Sequence, residues 1–111
     1  MVTAETAVVL PVLLLVLAAA VSALVVVGAQ LRCVDAAREA VRAATRGDSG
    51  TDVARVATTA GPAGATVGRV VVGGAVTVTV SAEVHPLGPL PLHLRVSASA
   101  TGLLEPGVPV P

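Results

Sequence analysis

The sequence predicts an α+β fold: a long amino-terminal helix that spans a membrane and continues as a stalk, a short second helix, and a small three-stranded antiparallel sheet packed on the stalk. Three observations carry this expectation. Between Ala7 and Ala29 there is no charged residue, about 23 positions where about 20 suffice for a helix to cross a bilayer core. Immediately afterwards Leu31, Val34, Ala37, Val41 and Ala44 recur at helical spacing. After Gly64 the apolar period shortens to two, the period of a strand.

Composition bounds the rest. The 111 residues leave room for one small domain beside the apolar segment. Ala, Val and Leu supply the apolar content; Phe, Tyr and Trp are absent, and every basic residue is arginine. A formal net charge of zero gives no bulk attraction to nucleic acid. The single cysteine, Cys33, excludes an internal disulfide and a multi-cysteine metal site.

Residues 1–29 form the expected membrane-spanning segment. Three readings compete for it. A cleavable signal peptide would use "VGA" at Val27–Ala29, but it wants a basic amino end and a short apolar core; here Glu5 precedes a longer run with no arginine before it. A lipoprotein anchor at Cys33 would want small residues where Leu31 and Arg32 stand. The other two readings are an ordinary single-span anchor and a pilin-type helix that also packs against copies or relatives of itself. Pro11 has no N–H for the carbonyl of Ala7, so it predicts a kink in the second or third turn, which neighbouring helices accommodate more easily than lipid does.

Residues 30–47 continue the helix as a stalk. Asp35, Arg38, Glu39, Arg42 and Arg46 lie opposite the apolar stripe, with Asp35–Arg38 and Glu39–Arg42 spaced to pair. Gly47 is the expected stop. Residues 48–64 form a linker with a short helix, "DVARVATTAG", capped by Ser49 or Thr51, apolar at Val53, Val56 and Ala57, and closed by Gly61-Pro62. Residues 65–102 form the meander. "ATVGRVVV" is a strand, and Gly73-Gly74 a tight turn. Val76, Val78, Val80, Ala82 and Val84 then alternate with Thr77, Thr79, Ser81 and Glu83. The Pro-rich "HPLGPLPL" connects to a last strand, with Leu92, Leu94, Val96, Ala98 and Ala100 on one face and His93, Arg95, Ser97 and Ser99 on the other. Residues 103–111 are too rich in proline for a helix or central strand. The apolar sheet face needs a cover, and the stalk stripe is the nearest. A head this small is marginal by itself.

No catalytic constellation, cofactor motif or small-molecule site emerges. His85 and His93 flank the Pro-rich connection and have the chemistry to meet over a metal, yet no carboxylate or thiol stands close in sequence to complete a site. Read otherwise, they are loop-end polar residues. Glu83 reads as a solvated strand residue. Cys33 reads either as an intermolecular disulfide partner or as a small helix residue. The glycines of "GPAGATVG" match neither a phosphate loop nor a dinucleotide fingerprint.

The "TAETAVVLP" start with its apolar span, followed by "QLRCVDAAREAVRAATRGD", a "GA.V" strand entry and a late "EP", resembles the TadE-like family of the tight-adherence (Tad) branch of type IV-like pilus systems. The likeness is closest to the short forms of high-GC actinobacteria described as minor pilins. It implies a membrane-anchored, extracytoplasmic structural protein of pilus assembly, adhesion or secretion, with no enzymatic activity. Related prepilins carry a basic leader ending in Gly, removed by a membrane prepilin peptidase, and the mature chain then has Glu at its fifth position. Glu5 occupies that place if Met1 is the first mature residue, so the resemblance implies an assembly role for Glu5 and Met1. In such pilins the glutamate pairs with the amino terminus of a neighbouring subunit. The implied partners are other Tad pilins, the peptidase where an upstream leader exists, and the lipid bilayer. No leader or Gly precedes Met1 in this sequence, which is where it departs from the pattern. Four arginines follow the apolar run, and the positive-inside bias alone would put the carboxyl side in the cytoplasm; a basic leader reverses that expectation. The alternative is a single-span envelope protein whose head binds a partner as an assembly factor and never enters a fibre.

Overall fold

The computed structural model describes residues 2–88 and 90–104. Two helices, α1 (Val2–Thr45) and α2 (Gly50–Ala60), precede three strands, β1 (Thr66–Val72), β2 (Ala75–Val84) and β3 (Leu94–Leu103). The molecule measures 77 × 20 × 17 Å. Its length is that of α1, whose 44 residues extend roughly 66 Å at about 1.5 Å per residue.

The helix passes through Pro11 without ending. It stops at Gly47, which takes a φ of 86°. There the Gly47 N–H bonds the Ala44 carbonyl at 3.0 Å and the Asp48 N–H bonds the Ala43 carbonyl at 3.2 Å. These two bonds satisfy orphan carbonyls at the helix end, and the left-handed glycine makes them reachable. Of the two expected caps for α2, the structure uses Ser49, whose side chain accepts from the Asp52 N–H at 3.2 Å. Asp52 also pairs with Arg55 at 2.9 Å. Ser49→Ala is expected to lower head stability by about 1 kcal/mol, read as a lower melting temperature of the detergent-solubilised chain with unchanged secondary structure at low temperature.

The sheet order is β1-β2-β3, and both pairings are antiparallel. Gly73 and Gly74, with φ of 59° and 81°, form the two-residue hairpin that joins Val72 to its partner Ala75. Val76, Val78, Val80, Ala82 and Val84 are buried, as the alternation predicts. On the opposite face hydroxyls pair across strands: Thr66 with Ser81, Thr77 with Thr101 and Thr79 with Ser99, each at 2.8 Å. Such pairs add a few tenths of a kcal/mol each.

The core lies between α1, α2 and the sheet. Its helical side is Cys33, Ala36, Ala37, Ala40, Val41, Ala43 and Ala44, a wider arc than the single stripe expected. The reason is that α1 meets two partners, the sheet on one side and Val53 and Ala57 of α2 on the other. Leu31, expected in the stripe, is exposed, and Val34 is half-buried. Small residues dominate the arc because the backbones approach closely. At Gly102 a Cβ would lie 2.6 Å from Val41 Cγ1 and 2.9 Å from Thr45 Cγ2.

One further expectation is corrected. The last strand begins at Leu94, not Leu92, and Leu92 and Leu94 are exposed whereas Val96 is buried. On β1, Arg69 falls on the same face as Val67 and Val71, beside the start of α2: a Cβ on Gly50 would sit 3.1 Å from its guanidinium. The tail from Glu105 onward lies outside the described residues.

Candidate functional site: the uncovered half of the long helix

The carboxyl half of α1 builds the head; the amino half is covered by nothing among the described residues. From Thr3 to Val21 every residue is exposed. Leu13, Leu14, Leu15, Val16 and Leu17, five in succession, all present at least half their surface. A helix apolar on every side has no polar face to give to water and belongs in lipid. It is long and apolar enough to cross a membrane. Its one hydroxyl in the upper half, Ser22, donates to the Ala18 carbonyl at 2.7 Å, which satisfies it within the helix.

The helix is also continuous across the small-residue stretch Val27–Ala29. Val26 and Ala29 pack against the head core. Cleavage there would cut a helix whose two sides belong to one folded unit, which argues against a removable signal.

Glu5 lies in the first turn of α1, exposed. A carboxylate there suits the helix dipole. The ion pairs Glu39–Arg42, Asp48–Arg46 and Asp52–Arg55 lie in the head and none of the three involves Glu5. Met1 lies outside the described residues. Pro11 stands six residues beyond Glu5, on the uncovered part of the helix. Glu5 and Pro11 are therefore both presented to whatever surrounds the helix.

The other residues with chemistry fall in the head. His85 and His93 do approach one another, with ring centroids 6.1 Å apart, but no group of three potential metal ligands occurs among the described residues. Glu83 is exposed and opposes Arg95 across the strands. Cys33 is fully buried in the core, so it packs as a small apolar residue and is withheld from a disulfide with another chain. Sequence reasoning missed the exposed leucines 90, 92 and 94. The signal for them was present: seven residues from Pro86 to Leu92 without a charge or a hydroxyl.

Comparison with known proteins bears on the same helix. Residues 1–42 match the family model described as TadE-like protein, a match that ends within α1. Over 105 residues the chain is 40% identical to a Mycobacterium tuberculosis protein named Apoptosis inhibitor Rv3655c, covering 93% of this chain and 78% of that relative. No solved structure matches.

Proposed function

This chain belongs to the TadE-like family, and from that premise we propose that it is a minor pilin or pseudopilin of a Tad-type pilus assembly system. The family is structural and pilus-associated rather than catalytic, and one long apolar helix at the amino end fits a single-pass, Tad-associated membrane protein. In the proposed role the head stands outside the cytoplasmic membrane and α1 first anchors the chain, then packs among the helices of other pilin-like subunits.

The observation that carries the reading is Glu5 at the threshold of a helix that is apolar on every side and uncovered. In a plain anchor a carboxylate there gains only a few tenths of a kcal/mol from the helix dipole. In a bundle of such helices a carboxylate needs a charged partner, and the amino terminus of a neighbouring subunit supplies an ammonium. Met1 is that terminus if it is the first mature residue, the product of a prepilin peptidase acting on an upstream leader. Pro11 supports the same reading. The carbonyl it leaves without an N–H is better satisfied, and a kink better held, beside other helices than in lipid.

The test is to shear surface fibres from cells and probe both fractions with antibody to the head. The chain is expected in the sheared fibre fraction as well as in membranes, and deletion is expected to reduce piliation. Its confinement to membranes with normal piliation in the deletion strain would sink the reading. The alternative is a single-span envelope protein whose head binds a partner as an assembly factor and never enters a fibre. That reading predicts indifference to Glu5 and no processing.

A further inference from the structure

We propose that the described part of the β2–β3 connection, residues 85–88 and 90–93, is a second membrane contact, seated at the boundary between headgroups and hydrocarbon in the leaflet from which α1 emerges. The inference rests on α1 as the anchor and is independent of entry into a fibre. It begins with direction. Gly102, near the end of β3, lies against Val41 and Thr45, while the Gln30 side chain donates to the Ser97 carbonyl at 2.8 Å. β3 therefore runs the same way as α1, and its first residue points back toward the apolar half. Leu94 stands three residues before Ser97, on the order of 10 Å further down at about 3.3 Å per residue. The connection lies at that end of the sheet.

The level agrees from the helix side. A hydrocarbon core of about 30 Å takes up about 20 residues of helix, which from Ala7 ends near Val26. Val26 and Ala29 already touch the head core, and Pro62, in the other connection at this end, lines a recess with Leu24, Val25 and Gly28. The lower rim of the head is thus level with the end of the span.

The chemistry of the rim fits that position. Leu90, Leu92 and Leu94 are 54, 46 and 45% exposed, and no charge occurs from Pro86 to Leu92. His85 and His93 face each other at the neck of the connection, and Glu83 and Arg95 oppose one another across the strands it joins. Apolar tip, imidazole neck and charged shoulder reproduce the polarity gradient of a bilayer interface. Trp and Tyr are the usual interfacial anchors, and this chain has neither; Leu and Pro would take the place. Because the patch lies at the end of the sheet that points back toward the apolar half of α1, lipid is the occupant rather than a neighbouring protein.

The test places an environment-sensitive fluorophore on Leu90→Cys, Leu15→Cys and Leu103→Cys in the full chain, reconstituted into phosphatidylcholine/phosphatidylglycerol vesicles. Leu103 is the control, since it is 77% exposed and apolar but at the far end of the sheet; the unsubstituted chain reports any labelling of buried Cys33. The Leu15 and Leu90 probes are expected to be blue-shifted and severalfold brighter than the Leu103 probe. Shallow spin-labelled lipids should quench Leu90 more strongly than Leu15. A Leu90 probe matching the Leu103 probe, with Leu15 in lipid, overturns the inference alone. Aqueous signals at both Leu15 and Leu90 overturn the anchor with it. A Leu90 signal that turns apolar only as the protein-to-lipid ratio rises assigns the patch to a neighbouring copy and also overturns it.

Discussion

Glu5→Gln is expected to leave the amount of chain in membranes unchanged while nearly abolishing its recovery in sheared fibres. The substitution keeps the shape of the side chain and removes its charge. Insertion depends on the apolar run from Ala7 to Ala29, which it does not touch. Assembly in the proposed role depends on a carboxylate meeting an ammonium among apolar helices. Removing one partner there strands the other, and breaking a buried pair in this way costs about 3–5 kcal/mol. At about 1.4 kcal/mol per factor of ten, that is a loss of roughly a hundredfold or more in incorporation. Glu5→Asp keeps the charge on a shorter arm and should restore part of it. The measurement is the ratio of head antigen in fibre and membrane fractions for the three chains. An unchanged ratio for the Gln variant would leave the carboxylate as a helix-end residue placed by the dipole alone, worth a few tenths of a kcal/mol.

Gly102→Val is the corresponding expectation for the head. A new Cβ would sit 2.6 Å from Val41 Cγ1 and 2.9 Å from Thr45 Cγ2. Both neighbours are β-branched and stiff about χ1 on a helix, so the clash falls on the helix–sheet spacing. Overpacking of this kind costs about 1–3 kcal/mol, offset in part by roughly 0.5 kcal/mol from removing a glycine within a strand. For a head this small, a net loss near 1.5 kcal/mol lowers the melting temperature by roughly 10 °C. Circular dichroism melts of the full chain in detergent would read it. Val41→Ala in the same chain should return part of the loss, because it removes the methyl groups that the new side chain meets. Additive effects of the two substitutions would show that the close approach is not what constrains position 102.

Much of this architecture was legible because its signals are local. Length and the absence of charge mark the span. The period of two marks β2 residue for residue, from Ala75 to Val84, and Gly47 and Gly73-Gly74 mark a helix end and a hairpin through backbone freedom. What escaped depends on neighbours. The buried arc of α1 is wider than one stripe because a second helix docks on it, and nothing in residues 31–44 alone says where α2 will lie. Gly102 reads as a weak strand residue until Val41 and Thr45 are seen against it. Leu92 and Leu94 fit the alternation of β3, yet they lie at the end of the sheet next to the Pro-rich connection, so period placed them on an apolar face that leaves them exposed. Glu5 and Pro11 were visible as residues out of character with an apolar helix, and their setting on the uncovered half keeps that character in view.

The single helix shared by span and head fixes an angle as well as a distance. No loop separates the carboxylate at its start from Cys33 where the core begins, so the head has no swivel. Each residue between them contributes about 100° of rotation and 1.5 Å of rise. Adding or removing one would swing the sheet about a quarter turn around the axis, and the hydroxyl-bearing face would look in another direction. If Glu5 is held by a neighbour, that compass bearing is set at the base of the molecule and read out some 60 Å away, so each head in a row of such helices would face outward at a heading dictated by its own stem.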